Sequence, residues 1–120
     1  MAKITAEEFA ALEVKFPPKF GKPGVMQYDA DDLDGSFAFK RPDRRQLGIY
    51  TKHMAEKDPV SACEFLALAC VVAITVPGCA GDSPRAQLSD LLDTLPGLPL
   101  RFTETFNILA GTAKGVEGEA

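Results

Sequence analysis

Apolar residues recur at helical spacing in several stretches of this chain and alternate with small or polar ones in one. Phe9, Leu12 and Phe16 fall on one face of a first helix, over about Ala6–Lys15, with Glu7, Glu8 and Glu13 looking outward. Thr5-Ala6-Glu7-Glu8 supplies the start signal: Thr5 caps the helix, Glu8 reaches back to its backbone, and Ile4 with Phe9 forms a hydrophobic staple. Phe16-Pro17-Pro18 ends the helix, because the residue before a proline is pushed out of the helical region. The next eight residues, PPKFGKPG at 17–24, hold too much Pro and Gly for a regular element and predict a connector.

Two short runs, Val25–Tyr28 and Ser36–Lys40, flank the turn-rich segment Asp29–Gly35. Phe37 and Phe39 alternate as a half-buried strand requires, and Asp34-Gly35 favours a reversal, so the runs predict a β-hairpin. Asp43 can cap a second helix over about Arg44–Lys57, with Leu47, Tyr50 and Met54 on one face. Asp58-Pro59 repeats the signal for a third helix over about Pro59–Thr75, the most apolar stretch in the chain. Ser83-Pro84 opens a fourth, whose Leu88, Leu91, Leu92 and Leu95 share a face, and Pro96-Gly97 closes it. A last helix over about Pro99–Leu109 carries Phe102, Phe106 and Leu109 and stops at Gly111. The sum is an α+β, mostly helical fold: an N-terminal helix, one short β-hairpin, then a bundle of about four helices. It predicts a single globular domain over residues 1–111 and a flexible tail over 112–120, where Gly115, Gly118 and two glutamates offer little to bury.

Length and composition agree with one domain. At 120 residues and 46% apolar content, folding buries roughly two-thirds of the surface of the unfolded chain, enough for one modest core. The apolar run Phe65–Val76 is 12 residues long, short of the ~20 that a bilayer demands. The net charge is −4, and it lies wholly after residue 60: the first 60 residues hold ten cations and ten anions, the rest three and seven. So few cations in the second half argue against a dedicated nucleic-acid binder. The opening residues lack the charged, then apolar, then small-residue order of a signal peptide, so a cytoplasmic location is expected.

Few residues gather into a chemical pattern. Cys63, Cys70 and Cys79 are an odd number with no zinc-like spacing, so reduced thiols and no metal or other cofactor are expected. Cys63 and Cys70 share a helix face but stand about 10 Å apart along it at a rise of ~1.5 Å per residue, too far for a disulfide. The acidic turn Asp29, Asp31, Asp32, Asp34 fails as a calcium loop: with Gly35 in sixth place, Ala30 falls first and Arg41 twelfth. His53 is the only histidine, and no serine or cysteine sits in a nucleophile motif, so no catalytic residue is assigned and no enzyme is expected. Lys40, Arg41, Arg44 and Arg45 put four cations into six residues. They read either as a docking patch for an acidic partner or a phosphate, or as a balance for the aspartates of the preceding turn. Cations in a first helical turn oppose the helix dipole by a few tenths of about 1 kcal/mol, so something besides helix stability favours them there.

Two segments together carry a family resemblance. Phe37-Ala-Phe-Lys-Arg-Pro-Asp-Arg44, a strand ending in Phe-x-Phe-Lys-x-Pro-x-Arg and leading into a helix, resembles a pattern of small phage tail assembly chaperone-like proteins. So does Leu91-Leu-Asp-Thr-Leu-Pro-Gly-Leu-Pro-Leu100, followed by Asn107-Ile-Leu-Ala-Gly111. The likeness spans about residues 36–111 and leaves out the first helix and the PPKFGKPG connector. It implies a non-catalytic protein of the host cytoplasm that binds the tape measure protein, and in some cases the tail tube protein, and keeps its client soluble during tail morphogenesis. A homo-oligomer is compatible with that role. Candidate partner-binding residues are Lys40, Arg41, Arg44 and Arg45, on the docking reading of that basic patch, with Leu88 and Leu92 of the fourth helix and Phe102 and Phe106 of the last as candidate groove walls. The alternative is a virion structural component such as a neck or tail completion protein.

Overall fold

The computed structural model describes residues 3–112. Helix α1 (Ala6–Lys15) begins at Thr5, whose side chain accepts from the Glu8 N–H while Glu8 accepts from the Thr5 N–H, the reciprocal cap that the sequence predicts. The chain then forms strand β1 (Val25–Ala30), a short 3-10 turn over Asp31–Leu33 and strand β2 (Gly35–Lys40). Asp34 makes the reversal in the left-handed region, at φ 57°, where a short polar side chain is among the few that are tolerated. Helix α2 (Arg44–Ala55) starts at an Asp43–Gln46 capping box, and helix α3 (Pro59–Cys70) at an Asp58 cap with Pro59 in its first turn. Strand β3 (Val71–Ile74), helix α4 (Pro84–Thr94) capped by Ser83, a 3-10 segment over Leu98–Phe102 and helix α5 (Thr103–Ala110) complete the described chain.

The fold is α+β, but its sheet has three antiparallel strands in the order β1-β2-β3 rather than the single hairpin expected. The third helix was expected to reach Thr75; it stops at Cys70 and the chain runs straight into β3. The reason lies in Val71-Val-Ala-Ile-Thr-Val76, where every residue but Ala73 is β-branched. A continuous apolar run does not distinguish a buried helix from a buried strand, and the open edge of β2 decides it. Nor do the later helices form a separate bundle: α3, α4, α5 and the 3-10 segment pack on one face of the sheet and on each other, with α2 against α3. The last helix is likewise split, because Pro99 sits within a 3-10 segment before α5 begins at Thr103.

β2 is the central strand and is buried on both faces. Phe37 and Phe39 point with Tyr28 and Ala30 into the main core, where they meet Leu66, Phe102 and Phe106. Ala38 points the other way with Val25 into a smaller cluster covered by Ile4, Phe9, Leu12 and Phe16. An irregularity opposite Ala38 and Phe39 fits β3 to both faces, so that Val71 and Ile74 join the main core while Val72 and Ala73 face α1. Gly35 is required where β2 begins, since a Cβ there would stand 2.6 Å from the Val76 backbone. Gly111 ends α5 in the left-handed region, φ 81°. Thr112, expected to open the tail, is instead tied back to Asn107 by its N–H and its hydroxyl. The remaining expected tail, 113–120, lies outside the described residues.

Candidate functional site

The eight residues singled out from the sequence do not form one site. Leu88, Leu92, Phe102 and Phe106 are all core residues: Leu88 and Phe102 are fully buried, Phe106 is 1% exposed and Leu92 is 7%. The faces expected to wall a groove are therefore spent on the main core, and a partner would have to open the core to reach them. Phe102 alone lies 4.7 Å from the Phe39 ring centroid, 5.1 Å from Phe37 and 5.2 Å from Tyr28.

The basic quartet divides. Arg41 and Arg44 line a cleft of about 530 Å³ together with Lys19, Phe20, Lys22 and the end of α5, Leu109 to Gly111. Arg45 is exposed on the first turn of α2 outside that lining, and Lys40 is half-buried at the end of β2, where its charge acts on Cys70. The quartet does not balance the acidic turn, which sits at the other end of β2. There Lys3 Nζ stands 2.6 Å from Asp31, and Arg101 donates to both oxygens of Asp32 at 2.9 and 3.0 Å and to the Tyr28 hydroxyl at 3.0 Å. The hydrogen bond from Arg101 holds the Asp32 carboxyl below its usual range, and that from Gln27 does the same for Asp29.

The connector over residues 17–24 is built, not loose. Lys19 and Lys22 exchange both backbone hydrogen bonds at 2.9 Å, closing a two-residue turn over Phe20 and Gly21. Both central residues have positive φ, 56° and 72°, as a type I′ turn requires. Arg41 fastens the turn to the sheet: its guanidinium donates to the carbonyls of Lys22 and Pro23 at 3.2 and 2.8 Å, and its N–H to that of Gly24 at 3.0 Å. Gly24 is pressed against the end of α1, where a Cβ would come within 2.3 Å of the Phe16 carbonyl oxygen. Phe20 stands at the tip, 91% exposed, with Lys19 Nζ 6.0 Å from its ring centroid. Sequence reasoning read PPKFGKPG as an ordered or flexible connector and assigned it no site; the signal is Phe-Gly bracketed by two lysines.

A second concavity of about 310 Å³ runs between α1, β3 and the start of α4. Ile4, Leu12, Ala73, Ile74 and Pro84 supply apolar lining, and Glu8, Gln87 and Thr75 supply polar groups. It was invisible in the sequence, where Ala73 and Ile74 were assigned to a helix. Neither concavity includes a cysteine or His53. Cys63 contacts the Thr103 hydroxyl at 3.4 Å; burial pushes the Cys70 thiol up to about 12, and burial with Asp90 raises that of Cys79. His53 stands 3.9 Å from Glu56 on the surface of α2. Among the described residues no group of three or more His, Cys, Asp or Glu converges, and no helix is long and apolar enough to cross a membrane.

Comparison with known protein families, with curated proteins and with solved structures found no match to this chain.

Proposed function

We propose that this chain is a non-catalytic phage tail assembly chaperone that binds the tape measure protein in the host cytoplasm and keeps it soluble while the tail is built. The resemblance over residues 36–111 suggests the role, and the groove between α1 and β3 is the observation that supports it. An amphipathic helical client needs an apolar trough with a polar rim on a soluble carrier, and this groove offers one. Its outer wall is α1, a helix with no fully buried residue, so the wall can adjust to a client without disturbing the main core.

Co-expression with the tape measure protein tests the reading. The client is expected in the soluble fraction and in complex with this chain. Leu12→Glu, which charges the groove, is expected to return the client to the pellet, whereas Leu100→Glu, on an exposed side chain outside the groove, is not. A client that stays insoluble beside the unaltered chain, or one that L12E releases no more than L100E does, overturns the proposal. Recovery of the chain from purified virions would make it a structural component instead.

A further inference from the structure

Phe20 occupies a position that neither local conformation nor burial favours for phenylalanine. A left-handed backbone costs a non-glycine residue about 1–2 kcal/mol, and the first central position of a type I′ turn ordinarily takes Asn, Asp or Gly. The ring is 91% exposed, so its own fold buries little of it. Yet the turn that presents it is fixed at three points: two backbone hydrogen bonds between Lys19 and Lys22, the guanidinium of Arg41 on the Lys22 and Pro23 carbonyls, and the seat of Gly24 on the end of α1. A rigid mount for an aromatic ring in an unfavourable conformation is a device for presenting that ring.

The surroundings of the ring state what it would meet. Lys19, Arg41 and Arg44 line the cleft beside it together with Lys22, and among the described residues no carboxylate does. The apolar end of α5, at Leu109 and Ala110, adds to the described lining. From this we infer that the Phe20 turn and its cleft are a docking site for an acidic segment of a partner protein, one that buries the Phe20 ring in an apolar recess while its carboxylates face Lys19, Arg41 and Arg44. An aromatic anchor surrounded by complementary charge is the usual composition of an interaction hot spot. A nucleic acid fits less well: the cleft is short and the chain carries a net charge of −4, where a phosphate backbone needs a longer basic track. The site is separate from the groove between α1 and β3, and it stands or falls independently of the tape measure reading.

Fluorescence polarisation with a labelled amphipathic peptide carrying Glu on its polar face, and its Lys-for-Glu counterpart as control, tests the inference on the full chain. The Glu peptide is expected to bind and the Lys peptide not to. Phe20→Asn keeps the turn, since Asn-Gly is the favoured type I′ pair, and is expected to raise the melting temperature while weakening the Glu peptide roughly tenfold. Arg44→Glu should weaken it at least as much, and Arg45→Glu, the same charge change one residue outside the lining, by less than about threefold. Equal losses in R44E and R45E would mark unspecific charge attraction and overturn the proposal. So would an unaltered affinity in F20N, duplex DNA bound as tightly as the Glu peptide, or self-association that F20N abolishes with no peptide bound.

Discussion

The two faces of the sheet are built on different terms. Facing α3 and α5, β2 offers Phe37 and Phe39 to Phe102 and Phe106, four rings that are at most 1% exposed and lie within 4.7 to 5.1 Å of a neighbour across the core. Facing α1, the same strand offers Ser36 and Ala38, and the cover consists of Ile4 with the half-buried Phe9, Leu12 and Phe16. A hydrogen bond from the Ile4 backbone N–H to the buried Ser36 side-chain hydroxyl, at 3.1 Å, fastens the start of that cover. Fully burying a large apolar side chain contributes about 1.5–3 kcal/mol, so the ring face dominates folding and the α1 face adds a thin layer to it. The difference teaches where binding can be hosted: the apolar groove borders the thin side and the Phe20 turn follows directly after α1, so neither draws on the ring cluster.

The largest effect tests this division directly. Phe39→Ala empties a site that touches both Phe102 and Phe106 and is expected to cost about 3–5 kcal/mol in urea denaturation. Leu12→Ala, on the other face and only half-buried, is expected to cost about 1 kcal/mol or less. Comparable losses would mean that the two faces share the load. Next comes the seam where both faces meet β3: Gly35→Ala drives a methyl against the Val76 backbone and is expected to cost about 2–3 kcal/mol, lowering the denaturation midpoint without changing the slope.

An effect smaller per pH unit follows from the thiol of Cys70, buried on the ring side. Its folded value of about 12 exceeds the ordinary 9.0, so the native state holds the proton that the unfolded chain gives up. The contribution is complete below pH 9 and is lost as pH rises toward 12. Stability should fall there by up to about 1.4 kcal/mol per pH unit, and Cys70→Ser should reduce that alkaline slope. An unchanged slope in the Ser variant would assign the loss to other groups.

The thin face and the ring face were also unequally legible. The caps at Thr5, Asp43, Asp58 and Ser83 form because their side chains act on backbone within three residues, a range the sequence displays. The alternation of Phe37 and Phe39 likewise announced a strand. β3 was misread because helix and strand compete for the same apolar letters, and the winner is set by the edge of β2, which lies more than thirty residues upstream in Phe37↔Ile74. The buried fate of Leu88, Leu92, Phe102 and Phe106 depends on what covers them, and a helix face written in leucine and phenylalanine looks the same whether it meets a core or a client. Of the basic quartet, only Arg41 and Arg44 reach the cleft, because the turn that completes it comes from Lys19 to Lys22 and is placed by tertiary hydrogen bonds.

The smallest effect is expected at the start of α1, and it asks whether the thin face opens by itself. Thr5→Ala removes one half of the capping box and costs the helix about 1 kcal/mol. If α1 is a cover whose opening leaves the ring face intact, that loss will appear as faster hydrogen exchange at the amides of α1, while those of β2 and α3 keep their protection. If instead the Ile4–Ser36 bond couples α1 to the whole sheet, exchange will quicken in β2 to the same degree. The first outcome would give the groove a wall that moves independently; the second would make the groove as rigid as the core behind it.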